Sequence, residues 1–294
     1  MSIFTGSGVA IVTPMNEDGT VNYTELKKLI EFQIENKTDA IIICGTTGEA
    51  STLSDEEQIE CVRFTAEVVA KRIPVIAGAG SNHTEHAITL AKECEAAGAD
   101  AVLLVTPYYN KTTQKGLILH YKAIAEAISI PIILYNIPGR TGMAIQPKTV
   151  YELSKIKNIV GIKEASGNIS AVAEIAALCG DNIDIYSGND DQILPLLSLG
   201  GKGVISVLAN IAPKDTHDMV MNYLEGNTKK ATKLQLKTFN LIKALFCEVN
   251  PIPVKKALNL MGFKAGPCKA PLCEMEEEHV ELLKQEMEKY GLIK

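Results

Sequence analysis

The sequence has no excess of positive charge and no visible stripe of basic residues. Lysine and arginine together number 29, against 35 aspartate and glutamate residues, so the formal net charge is -6 at pH 7. Proteins that bind nucleic acid usually carry clustered positive charge that neutralises phosphates. We therefore expect no nucleic-acid partner for this chain.

A targeting segment and a membrane span are also missing. The first five residues, Met1-Ser2-Ile3-Phe4-Thr5, contain neither a basic region nor a long apolar stretch, so they do not fit a secretory signal. No apolar run approaches the roughly 20 residues that cross a bilayer. These absences predict a soluble, cytoplasmic protein that does not bind membranes.

Paired cysteines and clustered histidines are missing too. The seven cysteines are odd in number and scattered, and most lie in apolar stretches, as is typical of reduced core residues. Cys268 and Cys273 lie close together, but no second pair or histidine accompanies them. His83 and His86 form the only close histidine pair and fit the solvated first turn of a helix. We expect no metal site.

Short β-branched segments alternate with amphipathic helical stretches, a pattern typical of parallel α/β proteins. Eight such segments are present, and eight parallel strands favour closure of the sheet. The predicted fold is therefore α/β: a (β/α)8 TIM barrel with a C-terminal helical appendage. The predicted strands cover residues 9–15, 40–45, 74–80, 101–107, 131–137, 159–166, 184–188 and 203–210.

Several helix ends carry recognisable signals. Ser54-Asp55-Glu56-Glu57 fits a capping box ahead of a helix over residues 58–72. Gly98 and Gly180 lie where a C-terminal glycine would end helices over residues 84–97 and 169–179.

The chain is expected to form one barrel and one smaller part. The barrel, which carries the active site, is predicted to cover residues 1–226. Residues 227–294 remain, with helical patterns over 228–248, 254–261 and 274–290 that are interrupted at Asn250-Pro251-Ile252-Pro253. We interpret this region as a helical appendage packed on the barrel, since no long linker precedes it.

The sixth predicted strand contains an unusual lysine. In Ile159-Val160-Gly161-Ile162-Lys163-Glu164, strand parity places Lys163 on one face with Ile159 and Gly161. We expect Gly161, which has no side chain, to leave room beside the lysine. Burial of an unpaired ammonium is costly, and a neutral amine is a nucleophile. The alternative is a surface lysine at a strand end.

The active site of a (β/α)8 barrel lies at the C-terminal ends of its strands, so the residues that follow each strand should converge there. Hydroxyls, phenols and one arginine occupy these positions around Lys163. The segments are Gly45-Thr46-Thr47-Gly48-Glu49, Thr106-Pro107-Tyr108-Tyr109-Asn110, Tyr135-Asn136-Ile137-Pro138-Gly139-Arg140-Thr141-Gly142, Ser187-Gly188-Asn189-Asp190 and Ile205-Ser206.

These residue types suit Schiff-base chemistry. A lysine amine attacks a carbonyl, and the resulting iminium lets the neighbouring carbon lose a proton. Tyr135 is the best candidate for moving that proton, with help from the Thr47 hydroxyl because a phenol of reference pKa near 10 does not ionise readily. Arg140 suits the capture of a carboxylate. Each has a plainer alternative: a core aromatic, a turn-capping threonine and an exposed loop arginine.

Taken together, these motifs resemble the dihydrodipicolinate synthase family, within the N-acetylneuraminate lyase superfamily of class I aldolases. The resemblance covers essentially the whole chain. It implies condensation of pyruvate with L-aspartate 4-semialdehyde to 4-hydroxy-tetrahydrodipicolinate, in lysine (diaminopimelate) biosynthesis. No dissociable cofactor is implied beyond the covalent pyruvate Schiff base. The family is usually a homotetramer built as a dimer of tight dimers.

The resemblance also implies roles for single residues. Lys163 forms the Schiff base with pyruvate. Tyr135, Thr47 and Tyr109 form a proton relay, with Tyr109 supplied by a neighbouring subunit, and Arg140 binds the carboxylate of L-aspartate 4-semialdehyde. The residues expected to line the pyruvate position are Thr46, Thr47, Gly188 and Ile205.

Family members that L-lysine inhibits carry an allosteric pocket at the tight-dimer interface. Its polar positions commonly include a serine, two histidines and a glutamate; here the matching positions hold Ala50, Asp55, Gln58 and His86. We therefore expect weak or absent feedback by L-lysine. The full set of equivalent positions is Ala50, Ser51, Asp55, Gln58, Asn82, His86 and Tyr108.

Two other functions compete with this one. Another pyruvate-dependent class I aldolase, such as a sialic acid or keto-sugar-acid lyase, would share the lysine, but Arg140 and the Tyr108-Tyr109 pair favour the synthase. A catalytically silent barrel that binds a small carboxylate would be marked by loss of the lysine or the tyrosines, and this sequence retains them.

Overall fold

The computed structural model describes residues 2–294. Its centre is a closed parallel barrel in which each strand pairs with the next and β8 pairs back with β1, which confirms the predicted (β/α)8 fold. The strands are β1 Gly6–Ala10, β2 Ala40–Ile43, β3 Val75–Gly78, β4 Ala101–Val105, β5 Ile132–Asn136, β6 Ile159–Glu164, β7 Asp184–Ser187 and β8 Gly203–Ser206.

Helices surround the barrel and continue past it. None of them, within residues 2–294, is both long enough and apolar enough to cross a membrane. The helices are α1 Tyr23–Glu35, α2 Asp55–Val69, α3 Thr84–Ala96, α4 Gln114–Ala127, α5 Pro138–Thr141, α6 Pro147–Leu153, α7 Ile169–Cys179, α8 Ile193–Leu197, α9 Pro213–Leu224, α10 Thr228–Leu245, α11 Ile252–Leu260 and α12 Glu277–Tyr290.

The capping box is confirmed. The Ser54 side chain accepts from the backbone N–H of Glu57, and the Glu57 side chain accepts from the backbone N–H of Ser54. Helix α2 nevertheless begins and ends about three residues before the predicted span, because the capping residues form its first turn and Ala70 takes a left-handed conformation. Helical stretches were also predicted over residues 112–128, 147–155 and 212–224, where α4, α6 and α9 lie, whereas α1, α5 and α8 were not located from the sequence.

All eight predicted strands extend past the carboxyl ends of the observed ones, and the excess is largest for the first and the eighth. The predicted first strand continues to residue 15, but β1 ends at Ala10, and Met15 instead donates its backbone N–H to Ala265 of the C-terminal region. The predicted eighth strand continues to residue 210, but β8 ends at Ser206. The backbone N–H groups of Val207 and Leu208 donate to the Asp190 carboxylate, so they leave the sheet.

The hydrophobic core has an inner and an outer layer. The inner layer fills the barrel with side chains such as Ile42, Ile76 and Ile133. Near the amino-terminal ends of the strands, Phe4 stacks on Tyr186 with ring centroids 4.4 Å apart. The outer layer lies between the sheet and the helices and is much larger. The strands of the barrel are therefore covered by apolar side chains on both faces of the sheet.

The C-terminal helices pack against one another and against the last helix of the barrel. Helix α10 packs against α9 and α12, and α11 packs against α12. The segment between α10 and α11 and the loop after α11 reach the loops that follow the barrel strands. This contact brings the C-terminal region to the end of the barrel where the active site is expected.

Candidate active site

Lys163 lies inside the barrel, at the carboxyl end of β6. The side chain is only 5% exposed, and its Nζ atom lies 4.4 Å from the centroid of the Tyr135 ring. Tyr135 and Lys163 are paired in the register of β5 and β6, which places both side chains at the same level. Within residues 2–294, no carboxylate lies within 4.0 Å of the Lys163 amine. The alternative of a surface lysine is therefore excluded.

The parity prediction was correct for Gly161 and wrong for Ile159. The pairing of β5 with β6 shifts register, since Ile132 pairs with Ile159 but Ile133 pairs with Gly161. One extra residue in β6 reverses the face to which the side chain of Ile159 points, so Ile159 packs in the outer core layer. A bulge of this kind cannot be recognised from alternation of residue types alone.

Gly188, and not Gly161, provides the room beside the lysine. A Cβ atom at Gly188 would lie 3.1 Å from Lys163 Cε, 3.2 Å from Lys163 Cγ and 2.6 Å from Ala165 Cβ. A Cβ atom at Gly161 would first meet Tyr186 at 3.3 Å and Ile133 at 3.4 Å. The stem of Lys163 can therefore pass β7 only because residue 188 has no side chain.

Asp190 is a buried acid close to Lys163 whose role the sequence did not reveal. Its carboxylate accepts from Ser206 Oγ at 2.5 Å, from Leu208 N at 2.9 Å and from Val207 N at 3.1 Å. Burial raises the pKa of this carboxyl group, while the hydrogen bonds and the charge of Lys163 oppose the rise. Asp190 thus fixes the end of β8, next to Ile205.

The Thr46-Thr47 loop is a tight turn held by its own backbone. Gly48 N donates to Gly45 O, and Glu49 N donates to Thr46 O, each at 3.1 Å. The Thr47 hydroxyl is 2% exposed and does not cap this turn; it accepts from Asn250 Nδ2 at 3.0 Å. The turn-capping alternative is therefore excluded for Thr47, and its partner is a residue of the C-terminal region.

A buried ion pair anchors the same loop. Lys255 Nζ, on α11, lies 2.7 Å from Glu49 Oε1, with the two side chains 2% and 1% exposed. Lys255 also donates to Pro267 O at 2.5 Å, and the second Glu49 oxygen accepts from Lys269 N at 2.7 Å. Lys255 lies among apolar residues of the helix predicted over residues 254–261, which indicates burial but does not identify Glu49 as its partner.

A cavity of about 440 Å³ lies beside the Thr46-Thr47 loop. Thr46, Tyr135 and Arg140 line it, so it brings together three of the predicted site residues. Lys163, Thr47, Gly188 and Ile205 do not line the cavity itself. Tyr135 contacts both the cavity and Lys163, and therefore connects the two.

Arg140 lies at the rim of the cavity on the short helix α5, rather than in an open loop. Its guanidinium is exposed at the surface, and Nη2 donates to the backbone oxygen of Asn250 at 3.0 Å. One nitrogen is thus held by the protein, and the remaining donors are free to meet a carboxylate.

Tyr109 is not brought to the lysine within one chain. Its side chain is 92% exposed, and its backbone has a φ of 68°. Asn82 steadies this loop, because it donates to Tyr108 O at 3.2 Å and accepts from Asn110 at 2.9 Å. A loop held so firmly, with a phenol extended into solvent, is suited to contact another molecule.

The residues at the predicted allosteric positions are largely engaged with one another. His86 Nε2 lies 2.9 Å from Asp55 Oδ2, and His86 Nδ1 lies 3.0 Å from Ser81 Oγ. Gln58 donates to Ala50 O at 2.8 Å. Asp55, His86, Gln58 and Ala50 line the same cavity as Tyr135, together with Ser51 and Tyr108. Asn82 lies outside it.

Within residues 2–294, no group of three or more histidine, cysteine, aspartate or glutamate side chains is placed to hold a metal ion.

Comparison with known proteins gives consistent matches over the full length. The family model of the dihydrodipicolinate synthetase family matches residues 3–290. The 4-hydroxy-tetrahydrodipicolinate synthase of Lachnoclostridium phytofermentans is 62% identical over 294 residues, which covers 100% of each chain.

Solved structures show the same likeness. A chloride-inhibited dihydrodipicolinate synthase from Acinetobacter baumannii, complexed with pyruvate, is 47% identical with a TM-score of 0.96, covering 98% of this chain and 99% of that one. A monomeric dihydrodipicolinate synthase variant is 44% identical with a TM-score of 0.97, covering 99% of this chain and 98% of that one.

Proposed function

The chain belongs to the dihydrodipicolinate synthetase family, and we propose that Lys163 forms the covalent intermediate of its reaction. The enzyme is a lyase that condenses pyruvate with L-aspartate 4-semialdehyde to 4-hydroxy-tetrahydrodipicolinate, in lysine biosynthesis through diaminopimelate. The observation that supports Lys163 most strongly is its burial against Tyr135 without a carboxylate partner.

The proposed sequence of bonds begins at the lysine amine. Lys163 Nζ attacks the ketone carbon of pyruvate, and loss of one water leaves an iminium. The pyruvate methyl group then gives up a proton, and its electron pair forms the enamine. The enamine carbon attacks the aldehyde carbon, whose oxygen takes up a proton. Finally the amino group of the second substrate attacks the iminium carbon, closes the ring and releases Lys163.

We propose that Tyr135, Thr47 and Tyr109 move the protons in these steps. Tyr135 is the phenol beside the amine, and Thr47 is a buried hydroxyl in the loop that follows β2. A relay of hydroxyls lets a phenol accept and return a proton without holding a full charge. The iminium is itself the electron sink, so we expect the reaction to need no dissociable cofactor.

We assign the two substrates to two different groups of residues. We propose that Arg140 holds the carboxylate of L-aspartate 4-semialdehyde, since it lies at the cavity rim with donors free. The pyruvate position is assigned to Thr46, Thr47, Gly188 and Ile205, which surround the Lys163 end of the barrel.

Borohydride trapping tests the central assignment. Protein incubated with pyruvate and reduced with borohydride should gain the mass of reduced pyruvate, and peptide mapping should place it on Lys163. Lys255 is a matched internal control, because it is equally buried but ion-paired. Lys163→Met should abolish the adduct. An adduct on another lysine, or none on folded protein, would refute the assignment.

The role of Tyr109 predicts a catalytically complete dimer, and we propose the homotetramer of tight dimers that is usual in the family. A monomeric variant among the solved relatives makes the oligomeric state a matter for direct measurement. Lys163→Ala and Tyr109→Phe subunits should each be nearly inactive alone. Co-expressed with different tags, they should regain activity, because one site then combines Lys163 of one subunit with Tyr109 of the other. If Tyr109 acts within its own chain, no activity returns.

We propose weak or absent inhibition by L-lysine. The polar groups at Asp55, His86 and Gln58 are engaged with one another or with the backbone, and a ligand would have to displace those contacts. Steady-state inhibition curves should show a half-maximal concentration in the millimolar range or above. A sub-millimolar value would contradict this proposal.

The remaining assignments concern the whole chain. We propose that residues 1–226 form the catalytic barrel and residues 227–294 an appendage that folds onto it, and that the protein acts in the cytoplasm. Separate expression of residues 1–226 tests the first point: we expect insoluble or inactive protein, since Glu49 would lose Lys255.

A further inference from the structure

Asn250 joins the C-terminal appendage to two functional groups of the barrel. Its side-chain Nδ2 donates to Thr47 Oγ1 at 3.0 Å, and its backbone oxygen accepts from Arg140 Nη2 at 3.0 Å. Asn250 is 7% exposed; its contact with Thr47 is buried and its contact with Arg140 is partly buried. A single residue outside the barrel thus contacts the proposed relay and the proposed carboxylate site.

The carboxamide of Asn250 is used as a donor only. Its Oδ1 atom is buried and has no hydrogen-bond partner among residues 2–294. An unpaired buried acceptor costs folding free energy, and an apolar side chain of similar size would avoid that cost. An apolar residue, however, could not donate an N–H to Thr47, and Asn250 does.

That donor determines where the Thr47 proton can point. A hydroxyl has one proton to donate and two lone pairs that accept. The Asn250 N–H occupies one lone pair, so the Thr47 proton must be directed at another group. One donor and one acceptor position remain, which is what a link between two phenols needs.

We propose that Asn250 is a positioning residue that fixes the direction of the Thr47 hydroxyl in the proton relay and holds Arg140 through its backbone. The C-terminal appendage is then part of the active site. This inference rests on the proposed function, because it needs the relay through Thr47.

Two substitutions distinguish the effect of the direction of the Thr47 proton from the effect of the shape of the side chain at position 250. Asn250→Asp keeps the shape but can only accept, so the Thr47 proton would turn to the carboxylate and leave the relay. Asn250→Ala removes both groups and leaves the hydroxyl free to rotate. The proton step is measured as deuterium exchange into the pyruvate methyl group by NMR, with full-length protein in D2O. We expect a loss of about tenfold for Asn250→Ala and at least about a hundredfold for Asn250→Asp.

Other readouts distinguish this role from a structural one. The extent of borohydride trapping at saturating pyruvate should stay unchanged, because lysine attack at equilibrium does not depend on the relay. The KM for L-aspartate 4-semialdehyde should change less than twofold, since Arg140 contacts the backbone of residue 250. Asn259→Asp, which introduces the same charge at an exposed position on α11, is the control and should exchange at the wild-type rate.

A double-mutant cycle completes the test. Adding Asn250→Asp to Thr47→Val should cause no further loss, because Asn250 acts only through the missing hydroxyl. Asn250→Ala serves in the same cycle if the aspartate variant does not fold. Two results would overturn the inference and leave the proposed function standing: a further tenfold loss in the double variant, or deuterium exchange by Asn250→Asp as fast as by Asn250→Ala. Wild-type protein that traps no pyruvate would refute the proposed function and the inference together.

Discussion

Breaking the buried pair between Lys255 and Glu49 should destabilise the protein much more than breaking an ordinary ion pair. Lys255→Met keeps most of the aliphatic stem and removes only the charge and its hydrogen bonds. The Glu49 carboxylate would then be left 1% exposed with a single backbone donor, Lys269 N. Leaving one member of a buried pair alone costs about 3–5 kcal/mol.

The expected change in melting temperature follows from the size of the chain. An unfolding entropy of about 2.1 cal/mol/K per residue gives about 0.6 kcal/mol/K for 294 residues. A loss of about 3–5 kcal/mol therefore lowers the midpoint by about 5–8 °C. Circular dichroism at one protein concentration and one scan rate measures it.

Two further variants show whether the buried charge is the cause. Lys71→Met breaks an ion pair of the same 2.7 Å length whose side chains are 70% and 30% exposed, and it should cost at most about 1 kcal/mol. The double variant Lys255→Met with Glu49→Gln removes both charges and should be more stable than Lys255→Met alone. A shift for Lys255→Met no larger than that of the control, or a double variant less stable than the single one, would refute the reasoning.

Two further predictions concern packing and pH. Gly188→Ala should displace the Lys163 stem, lower kcat/KM by about a hundredfold and reduce the borohydride adduct. Gly139→Ala is the control, because a Cβ atom there meets nothing within 4 Å. Equal activity of the two variants would contradict the packing argument. Burial lowers the pKa of His120 from 6.5 to about 4, so its folded form stays neutral while the unfolded form takes up a proton. Its contribution to stability is complete above pH 6.5 and is lost as the pH falls toward 4, up to about 3 kcal/mol. His120→Gln should flatten the melting-temperature profile in that window, and an unchanged slope would argue against the burial effect.

The parts of the fold that depend on local pattern could be predicted from the sequence. The eight strands follow from their β-branched segments, and the α2 capping box follows from Ser54 and Glu57, because these signals lie within a few residues of one another. Lys163 was recognisable for the same reason, since a lysine inside a buried strand departs from the pattern around it.

The parts that depend on distant contacts could not be predicted. Asn250 reaches Thr47 across 203 positions of sequence and Lys255 reaches Glu49 across 206, and no periodicity records such a pairing. The role of Gly188 was assigned to Gly161 because the register shift in β6 and the path of the lysine stem are properties of neighbouring strands. Asp190 was placed at the site, but its three donors come from the last residue of β8 and the two residues that follow it.

The link between Glu49 and Lys255 also sets an order in time during synthesis. The two residues are separated by 206 positions. At about 5–20 residues per second, the ribosome makes Lys255 on the order of 10–40 s after Glu49. Until then the catalytic loop holds a carboxylate without its cation, and Thr47 lacks the donor that orients it. A nascent chain with all eight strands complete is therefore expected to remain inactive, and the enzyme acquires its activity only after the segment with Asn250 and Lys255 has left the ribosome.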